Sequence, residues 1–130
     1  MARIAINGLG RIGRAALKIL QGVDGVEVAA VNDLVPVDNL AYLLRYDTVY
    51  GRWEREVRAE GDALVVDGTR IPVHSEKDPS QLPWGDLGVD LVLECTGVFR
   101  REEDLQRHLT AGARHVILSA PAKTETMSTV

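Results

Sequence analysis

Ala5-Ile6-Asn7-Gly8-Leu9-Gly10-Arg11-Ile12-Gly13-Arg14 is the stretch on which the fold turns. Arg3 to Asn7 form a short apolar run that reads as a buried strand. A glycine loop, Gly8-Leu9-Gly10, follows. Ile12, Ala15, Ala16 and Ile19 then recur at i, i+3, i+4 and i+7, which predicts a helix from about Arg11 to Gln21 with these residues on its apolar face and Gly22 as its stop. Val26 to Asn32 reads as the next strand. Strand, helix and strand within roughly 30 residues make a βαβ unit, and so short a connection imposes a parallel sheet with a right-handed crossover.

The rest of the chain divides around this unit. Asp38 is a cap for a helix in which Leu40, Leu43 and Leu44 share a face. Glu56 to Arg58, Ala63 to Val66 and Thr69 to Val73 read as short antiparallel strands, with Asp67-Gly68 as a hairpin turn between the last two. Trp53 and Trp84 are read as part of this insert and are expected to be its packing anchors. Ser75 to Gly85, with Pro79 and Pro83, reads as loop. Alternation resumes with a strand over Val89 to Cys95 and a helix opened by Glu102, Glu103 and Asp104, with Leu105, Leu109 and Gly112 on its inner side. A strand from His115 to Ser119 follows, and the last residues to Val130 resemble the start of another. The fold class expected is α/β: a doubly wound, mostly parallel sheet of Rossmann type with a small antiparallel β insert over about 52–75.

Composition narrows the function. The chain has 130 residues, 15 Lys+Arg against 19 Asp+Glu, and a net charge of −4, a poor match to a polyanion, so nucleic acid is not an expected partner. No apolar run approaches the roughly 20 residues needed to span a bilayer, so no membrane association is expected. Asn7 interrupts any secretory core at the start, and a cytoplasmic location is the default expectation. A single cysteine, Cys95, excludes an internal disulfide, and His74, His108 and His115 are too scattered for a metal site.

The glycine pattern carries the chemistry because of its surroundings. Gly8-x-Gly10-x-x-Gly13 follows a strand and opens a helix, and Asp33 lies twenty positions past the third glycine at the end of the second strand. That context makes a dinucleotide-binding fingerprint. Gly8 permits the tight turn, Gly10 lets backbone approach a pyrophosphate, and Gly13 lets the helix pack close to the strand. The N–H groups of Arg11 and Ile12 lie at the helix start, where unpaired donors favour an anion. The Asp33 carboxylate suits both hydroxyls of the adenosine ribose. It repels a 2′-phosphate, and Leu34-Val35-Pro36 offers no compensating cation, so NAD is expected over NADP.

Further motifs follow in order: Val31-Asn32-Asp33, Leu44-Arg45-Tyr46-Asp47 with Gly51, Glu94-Cys95-Thr96-Gly97-Val98-Phe99 and Ser119-Ala120-Pro121-Ala122-Lys123. With them the chain resembles, over essentially all its length, the N-terminal NAD-binding part of the phosphorylating glyceraldehyde-3-phosphate dehydrogenases. Erythrose-4-phosphate dehydrogenase, a close relative, shares much of this half. The resemblance implies that Asn7 and the backbone of Arg11 and Ile12 line the adenosine and pyrophosphate. By the same token Asp33 holds the ribose, Lys77 lies beside the adenine, and Thr96, Gly97 and Phe99 close the groove. Ser119 would lie on the nicotinamide side. Arg100-Arg101 and Thr124 depart from the family's usual residues.

The resemblance also implies a catalytic Cys in a Ser-Cys-Thr-Thr-Asn-Cys stretch, a His partner and a C-terminal catalytic domain. None of these occurs here. Residues 1–130 are therefore expected to form a dinucleotide-binding domain cut off before the catalytic domain, with no catalytic residue of its own and with weaker NAD binding than the whole. Cys95 matches a family cysteine that is not the nucleophile. A homotetramer is implied for the full-length protein. A stand-alone, non-catalytic nucleotide-binding module is the competing reading.

Overall fold

The computed structural model describes residues 2–46, 56–96 and 102–118. The elements are β1 (Ala2–Asn7), α1 (Arg11–Leu20), β2 (Val26–Asn32), α2 (Val37–Arg45), β3 (Val57–Glu60), β4 (Ala63–Val66), β5 (Thr69–His74), β6 (Leu91–Glu94), α3 (Glu102–Thr110) and β7 (His115–Leu118). A single 3-10 turn, Pro79–Gln81, stands in the stretch read as loop. The strands form one sheet in the order β3-β4-β5-β2-β1-β6-β7. β1 is parallel to both β2 and β6, and β7 is parallel to β6. This is the doubly wound α/β sheet that the alternation predicts. The antiparallel insert is continuous with it: β5 pairs antiparallel with β4 and, at Val31–Val73 and Asn32–His74, parallel with β2. The turn between β4 and β5 needs two residues with positive φ. Asp67 (φ 48°) and Gly68 (φ 85°) supply them.

Two cores cover the two faces of the sheet. On one, Ile6, Val28 and Val31 pack with Leu17 of α1, Leu40 and Leu44 of α2, and Leu64 and Ile71 of the antiparallel strands. On the other, Ala5, Ala29 and Ala30 pack with Leu82, Trp84, Val89, Val92 and Ala113. Ala29 and Ala30 are neighbours yet share a face. A register shift between Ile4 and Ala5 explains this, because Ile4 pairs with Val28 and Ala5 with Ala30, leaving Ala29 as the extra residue of a bulge. Trp84 is thus an anchor of the main sheet's second face rather than of the insert. Trp53 lies outside the described residues.

Three local expectations are corrected. The buried side of α1 is Gly13 and Leu17, with Ala16 and Leu20 partly buried against the same core, while Ile12 and Ile19 are 53% and 67% exposed. The i, i+3, i+4, i+7 pattern fits both sets, and the one beginning at Gly13 wins because only a residue without Cβ can face β1 there. Full burial of Leu17 contributes roughly 2 kcal/mol. On α3, Leu105 and His108 face inward, while Leu109 is 37% exposed. On α2 the cap position is Pro36, with no side-chain cap, and Asp38 lies in the first turn, where its charge still suits the helix dipole.

Two predictions follow from this packing. A Cβ on Gly13 would sit 1.9 Å from the Gly8 carbonyl oxygen. Backbone cannot yield there cheaply, so Gly13→Ala is expected to destabilise by about 3 kcal/mol or more; an unchanged thermal melt would contradict the packing. The second concerns Asp78, whose carboxylate accepts from the Ser80 hydroxyl (2.8 Å) and N–H (3.0 Å) and lies 3.9 Å from Arg107. The Ser80 hydroxyl, its N–H and then Arg107 hold the Asp78 carboxyl below its ordinary value of 3.8, against a smaller desolvation effect. Its contribution is complete above that ordinary value and is lost as pH falls through the lowered one. Parent and Asp78→Ala should therefore differ in melting temperature at neutral pH and converge in acid.

Candidate dinucleotide site

The glycine loop is held from three directions. The Leu9 side chain is buried in the core, its N–H donates to Asp33 Oδ2 at 2.7 Å, and its carbonyl accepts from Arg14 Nη1 at 3.0 Å. Gly8 takes φ 95°, and a Cβ there would lie 2.8 Å from the Thr96 methyl. Two of the three glycines are therefore demanded by the protein itself. Gly10 is different. Its φ of −72° is ordinary, and a Cβ would meet nothing within 4 Å. Among the described residues, no protein atom accounts for a glycine at position 10.

Gly10 is the N-cap of α1, makes no side-chain cap, and is followed by no acidic residue in the first turn. The amides of Arg11 and Ile12 begin a helix whose first hydrogen bond is Arg14 N–H to the Gly10 carbonyl, at 2.9 Å. Such an end offers open donors and the positive pole of the dipole to an anion. The cleft beside it measures about 330 Å³ and lies at the C-terminal ends of β1, β2 and β6, where open α/β sheets receive ligands. Asn7, Gly8, Gly10, Asp33, Lys77 and Thr96 line it, together with Asn32, Leu34, Glu76 and Cys95. Seven of the expected site residues are thereby accounted for in one place when Gly13, packed beneath the loop, is added. Arg11 and Ile12 are not among the lining residues; they follow Gly10 as the first two residues of α1. Gly97, Phe99 and Ser119 lie outside the described residues.

A family model described as the NAD binding domain of glyceraldehyde 3-phosphate dehydrogenase matches residues 2–102. The chain belongs to that family. It is 52% identical over 122 residues to glyceraldehyde-3-phosphate dehydrogenase of Clostridium acetobutylicum, covering 94% of this chain and 36% of that one. It is 50% identical over 131 residues to glyceraldehyde-3-phosphate dehydrogenase 1 of Kluyveromyces lactis, and 50% identical over 132 residues to the Thermotoga maritima enzyme; each covers all of this chain and 40% of the relative. The chain thus spans about two-fifths of the length of the curated relatives it matches. It is the NAD-binding domain of this dehydrogenase family, and the cofactor implied is NAD.

The residues present fit that cofactor. The open space over Gly10 leaves room for a group as large as a pyrophosphate to approach the backbone. Asp33 is half-buried, and its two oxygens accept from Leu9 N–H and from Val35 N–H at 2.8 Å, each keeping a further acceptor position for a diol. Lys77 is exposed on the rim. Asn7 differs from expectation in its role. It lines the cleft but is 1% exposed, and its amide is spent inward, donating to Glu94 Oε1 at 2.6 Å and accepting from Asn32 Nδ2 at 2.8 Å.

Asn32, Glu76 and Glu94 escaped sequence reasoning. The Asn32 amide pairs with the backbone of Glu76 in both directions, donating to its carbonyl (2.9 Å) and accepting from its N–H (2.9 Å), which fixes the segment carrying Lys77 beside Asp33. Glu94 is fully buried, and a carboxylate at the end of an apolar strand was the available signal. Cys95 is half-buried, packs against the core beside Gly13, and donates its N–H to the Asn7 carbonyl.

The contrast between the glycines is testable. Gly10→Ala should melt like the parent, because its methyl enters open space, yet bind NADH at least about tenfold more weakly, since that space is where the diphosphate approaches backbone. Equal affinity in a fluorescence titration would show that the space serves no ligand.

Proposed function

We propose that the cleft binds NAD with the diphosphate on the Arg11 and Ile12 amides over Gly10, and the adenosine ribose on Asp33. The adenine lies toward Leu34, Glu76 and Lys77. The nicotinamide half runs toward Thr96, and Gly97, Phe99 and Ser119 complete that end. The observation that carries this reading is Gly10, the one fingerprint glycine with neither strain nor a close neighbour. A carboxylate at the ribose position, followed by exposed Leu34 and Val35, favours a free 2′-hydroxyl and hence NAD over NADP.

We further propose that the full-length protein oxidises glyceraldehyde 3-phosphate with inorganic phosphate to an acyl phosphate, as a cytoplasmic homotetramer. When bound, NAD supplies the hydride acceptor. The residues of this domain bind and orient it; the nucleophilic cysteine and its histidine belong to the catalytic part of the polypeptide. Cys95 is assigned no catalytic part, because it is built into the strand end and the core beneath the glycine loop.

Asp33→Asn tests the assignment. Loss of the charge at the ribose is expected to raise the Kd for NADH by about tenfold to a hundredfold, the weight of one charge-assisted hydrogen bond, and to narrow the preference over NADPH. A melting curve run alongside reports whether the Leu9 brace survives. An unchanged NADH isotherm would remove Asp33 from the site and with it the proposed pose.

A further inference from the structure

Behind the cleft lies a chain of buried polar groups that reaches from the second core to the ligand-facing surface. Trp84 and His108 are both fully buried, and the indole Nε1 is 3.0 Å from His108 Nδ1. An indole N–H only donates, so Nδ1 accepts and carries no proton. The single ring proton is therefore on Nε2, which lies 2.9 Å from Glu94 Oε1. The same oxygen accepts from Asn7 Nδ2. Asn7 Nδ2 and His108 Nε2 lie 3.4 Å apart because two donors converge on one acceptor. The other carboxylate oxygen, Oε2, accepts from the Thr96 N–H (2.9 Å) and hydroxyl (2.7 Å). Asn7 leads on to Asn32, and Asn32 to the backbone of Glu76.

Among the described residues, Glu94 is thus a wholly buried carboxylate with four donors aimed at it, three of them from the two residues that line the cleft, Asn7 and Thr96. A fully connected network of this kind holds its members to one arrangement, while a missing donor leaves a buried acceptor group free to rearrange. His108 is the donor that comes from α3, and Trp84 decides which of its nitrogens bears the proton. Neither touches the cleft. A histidine on a helix that opens with acidic residues reads in sequence as a surface group; here it is enclosed.

We infer that His108, held in its Nε2–H tautomer by Trp84, is a positioning residue for the dinucleotide cleft, acting through Glu94 on Asn7 and Thr96. The inference rests on the proposed reading that NAD occupies this cleft. Through Glu94 the imidazole presents Asn7 and Thr96 in one geometry, and through Asn7 and Asn32 it extends to the segment bearing Lys77.

The test uses the intact polypeptide that carries this domain, with two readouts: NADH titration, and imidazole nitrogen chemical shifts that distinguish the tautomers. In the parent, His108 should show an unprotonated Nδ1 and a protonated Nε2. Trp84→Phe keeps the ring but removes the N–H; the His108 signal should become a mixture of tautomers, with NADH affinity lowered about threefold to tenfold, the weight of one buried hydrogen bond. His108→Leu should lower affinity further. His108→Gln, whose amide can still donate to Glu94, should restore it to within about threefold of the parent. Should the leucine variant fail to fold, the phenylalanine and glutamine variants decide. A proton on Nδ1 in the parent, parent-like affinity in Trp84→Phe, or a glutamine variant that binds no better than Trp84→Phe would each overturn the inference. A parent that does not bind NADH overturns the reading of the cleft itself, which separates the two failures.

Discussion

The packing of Gly13 against the Gly8 carbonyl governs the rest of the site. There is no room for even a methyl group between them. Once α1 is pressed this close to the end of β1, its rotation is determined: Leu17 enters the core, and Ile12 and Ile19 turn outward. Leu9 lies in the core as well, so at the glycine loop the cleft wall is formed by Gly8 and Gly10. α1 then begins beside the cleft, directly after Gly10 of its wall, with no side-chain cap. In the proposed pose, anion recognition is a consequence of how near a helix can come to a strand.

The floor of the cleft obeys a different logic. Apolar packing fills both faces of the sheet, yet beneath the strand ends the interior is polar: Asn7, Asn32, Glu94 and His108 are all buried. Apolar residues there would cost less desolvation. What the polar groups add is direction. Hydrogen bonds of 2.6–2.9 Å from Glu94 to Asn7, Thr96 and His108 join β1, β6 and α3, and Asn32 joins β2 to the Glu76 segment. Van der Waals contacts tolerate sliding, whereas convergent donors on a carboxylate do not. The two layers divide the work, with apolar packing bringing the strand ends together and the polar layer setting their angles.

Much of this was legible in the residue order, and the misses share a cause. The glycine loop, the βαβ unit, the Asp67-Gly68 hairpin and Asp33 are local signals, each readable within a short window, and each appears where the spacing puts it. The face of α1 was misread because two overlapping sets of apolar positions satisfy the same period, and only the partner strand distinguishes them. Asn7 lines the cleft, but its amide faces inward to Glu94 and Asn32, partners 87 and 25 residues away that no short window of sequence reveals. His108 has the same difficulty: its surroundings in sequence are charged, while its surroundings in space are Trp84 and Glu94. The bulge at Ala29 broke the alternation of β2 for a reason that only the register of β1 reveals.

Asp33 shows how recognition and scaffold come to share one group. Its Oδ2 accepts from the amide of Leu9, inside the glycine loop, and its Oδ1 accepts from Val35 in its own turn. A carboxylate so anchored is already oriented before any sugar arrives, so the entropy of fixing it is spent in folding and not again on binding. The bond to Leu9 also ties Asp33 to the glycine loop by a 2.7 Å contact, so neither can drift without the other. In the proposed pose, discrimination against a 2′-phosphate gains from the same arrangement. A side chain held from behind by two amides cannot swing aside to admit a second anion, and the repulsion has to be met where it arises.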